Sequence, residues 1–262
     1  MQPFSKFPSG DKTRIQYILS DIDDTLTYGG RLPAVVFDAM ERLQAAGLRI
    51  FPITGRPAGW CDHIARMWPV DGLVGENGAF YFRYDRDNRK MVRRYWKTTA
   101  ERDQDRTRLE SLKAQILKDV PGCAVSADQA YREADLAIDF CEDVTPLSVD
   151  RIGAIVDLFE AAGAHAKVSS IHVNGWFGKY DKLAMTRVLF QEHLQHDIDR
   201  DRESILFIGD SPNDSPMFQF FPHSVGVANV LEFKGQLAAA PEWVTTREGG
   251  YGFAEMVDHL LA

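Results

Sequence analysis

Tyr17-Ile18-Leu19-Ser20-Asp21-Ile22-Asp23-Asp24-Thr25-Leu26-Thr27 decides how this chain is read. A short apolar run breaks off into three aspartates, and Gly29-Gly30 follows soon after. An apolar run bounded by turn residues predicts a buried strand, and a buried strand has no packing use for clustered carboxylates. At the carboxyl end of a strand in an open α/β sheet, side chains instead point into the crevice where ligands bind. Asp21 and Asp23 fall on one face of an extended chain, about 6–7 Å apart along it. Two like charges that close call for a cation or a shared proton. An EF-hand loop also opens with alternating aspartates, but the places where it needs Gly and Glu hold Leu26 and Leu32.

Outward from this strand the pattern alternates. Strands are predicted at 15–20 and 48–53. Helices are predicted at 34–46, stopped by Gly47, and at 57–67, opened by Pro57 in its first turn. Short strands at 72–75 and 79–82 flank the turn signal Glu76-Asn77-Gly78. Such alternation implies right-handed βαβ units and a parallel sheet. The rhythm then changes: a polar turn at 85–90, a strand at 91–96, and a charged helix at 103–119 ended by Pro121-Gly122. Strands at 123–126 and 135–140, a helix at 148–162, and strands at 166–169 and 171–174 complete a compact α+β insert. From Asp181 the α/β order resumes, with a helix to 193, a strand at 204–208, another at 224–227 and a closing helix at 253–261. The expected division is a core of residues 1–83 and 179–262, with the insert at 84–178 between them.

Composition bounds the function. The chain has 262 residues, 45% of them hydrophobic, which is ample for a sizeable core. A formal net charge of -8 argues against a general nucleic-acid binder but leaves room for a local cationic pocket and a small phosphorylated ligand. Cys61, Cys123 and Cys141 are odd in number and form no CxxC pair, as expected of reduced thiols in a cytoplasmic protein. The first residues lack the apolar core of a signal peptide and no apolar stretch is long enough to span a membrane, so a cytoplasmic location is expected. A monomer or a homodimer is expected.

Four segments fall at predicted strand ends or helix starts. Besides Asp21-Ile22-Asp23-Asp24-Thr25 there is Thr54-Gly55-Arg56-Pro57, where a hydroxyl and the free amides of a helix start can hold an anion. Lys182 opens a helix and offers a compact charge that can span a carboxylate and a phosphate oxygen. Gly209-Asp210-Ser211-Pro212-Asn213-Asp214 again sets carboxylates after an apolar run. Hard oxygen ligands beside an expected phosphate suit Mg²⁺ better than zinc or calcium.

In this order and strand context the residues resemble the haloacid-dehalogenase superfamily: D-x-D-x-T, a Thr closing the second strand, a Lys, then G-D-x-x-x-D. The strings Thr54-Gly55-Arg56, Glu76-Asn77-Gly78-Ala79 and Asp210 with Asn213-Asp214 are similar to its Cof-type, class IIB branch, which includes sugar-phosphate phosphatases and phosphomannomutases. The resemblance implies a Rossmann-like core with an inserted C2-type cap. It implies Asp21 as the nucleophile forming an aspartyl-phosphate, and Asp23 as the acid/base whose main-chain carbonyl also ligates Mg²⁺. Thr54 and Lys182 would hold the phosphoryl group, with Gly55 and Arg56 beside it. Asp210 would complete the metal's ligands, and Asp214 and Asn213 would orient metal waters or the loop. The implied reaction is Mg²⁺-dependent hydrolysis of a small phosphorylated metabolite, most plausibly a sugar phosphate or phosphorylated glycoside. A phosphomutase sharing the aspartyl-phosphate and a non-catalytic phosphate-binding protein are the alternatives. The acid at Asp23 favours ester chemistry, since P-type ATPases and phosphonatases of the superfamily lack it.

The sequence departs from the family pattern twice: Asp24 stands where Gly is common, and Leu183 follows the motif lysine. Asp24 finds no role. Lys179 competes with Lys182, and the helix start and the distance to Asp210 favour Lys182. Asp210 and Asp214 also suit helix capping. His193 and His196 read as a solvated pair, Phe218, Phe220 and Phe221 as core, and Trp176 and Phe177 as hinge packing. Arg132, Glu133, His172 and Asn174 are polar groups near cap strands without an assigned substrate contact.

Overall fold

The computed structural model describes residues 1–169 and 171–262. Its main sheet has six strands, in the order Gln2–Pro3, Trp243–Val244, His223–Gly226, Ile205–Gly209, Tyr17–Ser20 and Arg49–Pro52, all parallel. Ile208 pairs with Ser20 and Ser20 with Pro52, so three strands end level and deliver Asp21, Thr54 and Asp210 to one edge. Tyr17–Ser20 is the strand from which the connections run off in opposite directions. That is the switch point where open α/β sheets bind ligands.

The sheet is covered on both faces, which explains why its central strands are continuous apolar runs. Ile18, Leu206 and Ile208 enter one buried cluster with Val36, Met40 and Phe253 from the helices Ala34–Ala45 and Gly249–Leu261. The alternate residues Leu19, Ile205 and Phe207 enter the other, with Met185, Leu189 and Phe218 from the helices Lys182–Leu189 and Ser215–Phe220. Period-two alternation thus serves two hydrophobic layers at once.

Ile53 bridges to Val74, the link to a three-stranded antiparallel sheet of Leu73–Gly75, Phe80–Asp85 and Lys90–Tyr95. Beyond it a second antiparallel sheet, ordered Ala124–Val125, Asp135–Asp139, His172–Trp176 and His165–Val168, packs against the helices Thr99–Asp119 and Val149–Ala161. Leu109, Leu112, Ile116, Ile155 and Phe159 join Ile138 and Val173 in its own core. The first of these helices begins at Thr99, not at 103. Thr98 and Glu101 form a reciprocal capping box, with the Thr98 N–H donating to Glu101 Oε2 at 2.8 Å, and this adds a turn that the apolar periodicity does not mark. The fold is thus a Rossmann-like core with an α+β cap. Among the described residues no helix is long and apolar enough to cross a membrane.

Candidate active site

Asp21 leaves the central strand with its N–H bonded to the Ile208 carbonyl at 3.0 Å. Asp181 caps the helix Lys182–Leu189 by accepting the Ala184 N–H at 2.7 Å, and this seats Lys182 in its first turn. The Lys182 ammonium donates to Asp21 Oδ1 at 2.7 Å and to Asp214 Oδ1 at 3.1 Å. The other oxygen of Asp214 accepts the Asp210 N–H at 3.1 Å, and Thr25 Oγ1 donates to Asp210 Oδ1 at 3.1 Å. Two glycines make these approaches possible. A Cβ on Gly209 would lie 2.5 Å from Asp214 Oδ2, and one on Gly78 would lie 2.1 Å from the carbonyl oxygen of Asp181. Lys179, the competing lysine, is exposed, whereas Lys182 is buried.

Carboxylate oxygens of Asp21, Asp210 and Asp214 lie within 4.8 Å of one another, and all three residues are buried. Three carboxylates against one ammonium leave two negative charges uncompensated. Burial pushes Asp21 up to about 7, with Asp214 and Asp23 adding to the rise against the pull of Lys182. Burial likewise pushes Asp210 well up, helped by Asp214, Asp21 and Asp24. For Lys182, burial works the other way, but Asp21 and Asp214 outweigh it and hold the ammonium above its ordinary range. The donor set, all hard oxygen with charge to spare, fits a divalent cation such as Mg²⁺.

The Asp23 side chain turns away from this cluster. Arg56 donates Nε to Oδ1 and Oδ2 at 3.0 Å each and Nη2 to Oδ1 at 2.7 Å. Any metal contact from Asp23 would therefore come from its main chain. Thr54 is fully buried, and its hydroxyl accepts the Arg56 N–H at 3.0 Å, which fixes the turn. Gly55, Arg56 and Asn213 border the same pocket as Asp21 and Asp210. Asp24 adopts φ 55°, a left-handed conformation natural to glycine and tolerated by aspartate. Its carbonyl accepts Asn229 Nδ2 at 2.9 Å, so this residue shapes the loop.

Three residues of this region went unassigned at the sequence level. Arg132 reaches from the cap to the Gly55 carbonyl at 3.1 Å while held by Asp128 and Asp135. Asn77, with φ 56°, borders the pocket, and its buried Nδ2 has no partner among the described residues. Glu76, with φ 41°, is fully buried. It accepts the N–H of Ala58 at 2.9 Å from the core and those of Glu133 and Ala134, at 2.9 and 2.6 Å, from the cap. The available sequence signal was the Asp128/Arg132/Asp135 spacing and the Glu76-Asn77-Gly78 turn string.

Glu76 joins core and cap, and its removal has a calculable effect. Glu76→Ala strands several buried N–H donors and is expected to cost about 2–4 kcal/mol, a Tm drop on the order of 10 °C. Burial and Asp135 push its carboxyl up from the ordinary 4.5 to about 8, against Arg132 and the N–H donors. The folded state therefore binds this proton more tightly than the unfolded one, and stability falls as pH rises through that window. Melting curves of wild type and variant should converge from about pH 5 to about pH 8. A constant gap would contradict the assignment.

Residues 18–136 and 188–247 match the family model of haloacid dehalogenase-like hydrolases. The chain is 25% identical over 256 residues to a phosphoglycolate phosphatase from Methanothrix thermoacetophila, covering 95% of this chain and 98% of that protein. Its fold is similar to Thermoplasma acidophilum 0175, with a TM-score of 0.71 at 18% identity over 94% of this chain and 98% of that one. It is also similar to the sucrose-phosphatase of Synechocystis sp. PCC6803, solved with sucrose and phosphate, with a TM-score of 0.65 at 15% identity over 94% and 98%. The chain belongs to the haloacid dehalogenase-like hydrolases. Lys182 lies outside the matched residues, and its place in the site rests on its contacts with Asp21 and Asp214.

Proposed function

We propose that the protein is a Mg²⁺-dependent phosphatase that hydrolyses a small sugar phosphate or phosphorylated glycoside through an aspartyl-phosphate on Asp21. One observation carries the reading: Lys182 is buried between Asp21 and Asp214, and Asp210 shares their cluster. Mg²⁺ would be held by Asp21, Asp210 and the Asp23 carbonyl, with Asp214 beside them, and would screen the charge of the phosphate as the nucleophile approaches.

The protein's own groups do the rest. Asp21 attacks phosphorus while the bond to the leaving oxygen breaks, and Asp23 gives that oxygen its proton. Asp23 then takes a proton from water as the water attacks the phosphorus of the acyl phosphate on Asp21, breaking its P–O bond to the carboxyl, releasing inorganic phosphate and restoring the carboxylate. Lys182, the Thr54–Arg56 turn and the Asn77 amide supply positive charge and donors around the phosphoryl oxygens. Positioning and electrostatics of this kind are most of what phosphoryl transfer requires. The division into core residues 1–83 and 179–262 and cap 84–178 belongs to the same reading, as does a cytoplasmic location. The latter is supported by the three free cysteines.

A chelation experiment tests the metal. EDTA treatment is expected to abolish phosphate release, and added Mg²⁺ to restore it. Activity that survives exhaustive chelation would remove Asp210 from a metal role. A screen of phosphorylated metabolites by kcat/KM tests the substrate class.

A further inference from the structure

The cap holds a second cavity, of about 370 Å³, between its first helix Thr99–Asp119 and residues 129–136. Small-molecule sites span about 300–1,000 Å³. Among the described residues that border this cavity, only Arg132 also borders the catalytic pocket. Arg102 and Arg106 are one helical turn apart, which brings both to the same side. Arg102 is held from behind: its guanidinium lies 3.8 Å over the Tyr95 ring, and Nη1 donates to the Lys97 carbonyl at 3.1 Å. Its side chain is 12% exposed, and the buried Nε has no hydrogen-bond partner among the described residues. A buried donor left unmade is destabilising, most of all on a charged group. Glu133 Oε2 lies 4.0 Å from Arg102 Nε and 3.7 Å from Arg106 Nη2, between the two but short of a hydrogen bond to either. The other charges have closer partners: Arg132 with Asp128 and Asp135, Glu110 with Lys113, and Arg106 Nη1 with Asp103. Leu109, Ala130, Ala134 and Leu136 give the cavity an apolar side.

We propose that this cavity binds a small carboxylic acid with a short hydrocarbon body, at a site separate from catalysis. The carboxylate takes the place between Arg102 and Arg106 that Glu133 only approaches, and accepts the Arg102 Nε–H. Two oxygens in a plane match the fork of a guanidinium. Glu133 is restrained from closing that gap because its own N–H is bonded to Glu76 Oε1 at 2.9 Å. A free acid has no such tether. The hydrocarbon body lies against the leucines and alanines, where burial of each CH₂ adds to affinity. Inorganic phosphate satisfies the arginines but leaves that apolar side bare. The occupant also touches the strap by which cap meets core, since Glu133 and Ala134 both donate their N–H groups to Glu76.

Hexanoate is the probe, with acetate as a head lacking the body and inorganic phosphate as an anion lacking one. Protein labelled with ¹⁵N-arginine is titrated with each, following the Nε–H signal of Arg102, assigned by its loss in Arg102→Gln. Hexanoate is expected to shift that signal saturably, with a Kd on the order of 1 mM. Acetate should bind about tenfold more weakly or worse. Arg106 is 54% exposed, so Arg106→Gln leaves the fold intact, and it should weaken hexanoate about tenfold. Glu133→Gln keeps the backbone bond to Glu76 and removes the competing charge, so it should tighten hexanoate about threefold. No saturable shift of Arg102 in either wild type or Glu133→Gln overturns the proposal. Hexanoate binding that Arg106→Gln leaves unchanged does so too. Acetate or phosphate that binds as tightly as hexanoate marks a general anion site and overturns the assignment to an organic acid.

Discussion

Asp21→Asn is expected to reduce phosphate release by roughly 10,000-fold or more while leaving the fold intact. The amide oxygen can still accept the Lys182 ammonium, so the 2.7 Å contact has a replacement. What is lost is the anionic carboxylate oxygen that forms the acyl phosphate. The substitution also removes one negative charge from a buried cluster in which Asp214 and Asp23 push Asp21 up. The Tm should therefore hold or rise. Single-turnover assays with mass detection of the phosphorylated peptide give the decisive comparison, with wild type labelled and variant unlabelled. A variant that keeps turnover, or still carries phosphate, removes Asp21 from the nucleophile role.

Lys182→Met carries the second large effect, and it acts on stability and activity together. The ammonium sits between Asp21 and Asp214 and is 8% exposed. An apolar side chain of similar length fills the space but leaves three clustered carboxylates without the ammonium that pairs with two of them. Breaking a buried pair in this way costs about 3–5 kcal/mol. A divalent cation should recover part of that, so the variant's Tm should depend on Mg²⁺ more steeply than that of wild type. The loss of kcat, about 100- to 1,000-fold, should persist at saturating Mg²⁺, since a donor aimed at the phosphoryl group is gone. Full recovery of turnover by Mg²⁺ would reduce Lys182 to a structural counter-charge.

The core was legible because its signals are local. Apolar runs ending in Asp21, Thr54 and Asp210 announce strands and their ligand-facing ends at once, and the parallel register brings those ends level. Lys182 could be preferred over Lys179 only by its helix start and its distance to Asp210; burial against two aspartates is a tertiary fact. Thr99 was missed as a helix start because a capping box carries no apolar periodicity. Glu76 read as a turn residue, since its partners Ala58 and Ala134 lie 18 and 58 positions away. Arg132 was noticed but not placed, because its hydrogen bond to Gly55 spans 77 positions. Contacts between cap and core are set by how two separately packed clusters meet, and neither segment carries that information alone.

Arg56 holds Asp23 in a bidentate pair and comes within 3.9 Å of Asp128 on the cap, while Arg132 of the cap grips the neighbouring Gly55 carbonyl. Cap position and the Arg56–Asp23 pairing are then two coordinates of one equilibrium. Whatever displaces the cap must change how firmly Arg56 grips Asp23, and loosening that grip must change the cap's preferred position by the same free energy. The orientation of the acid/base and the ease with which the molecule admits its substrate are, on this geometry, not independent traits, and evolution could not tune one without moving the other.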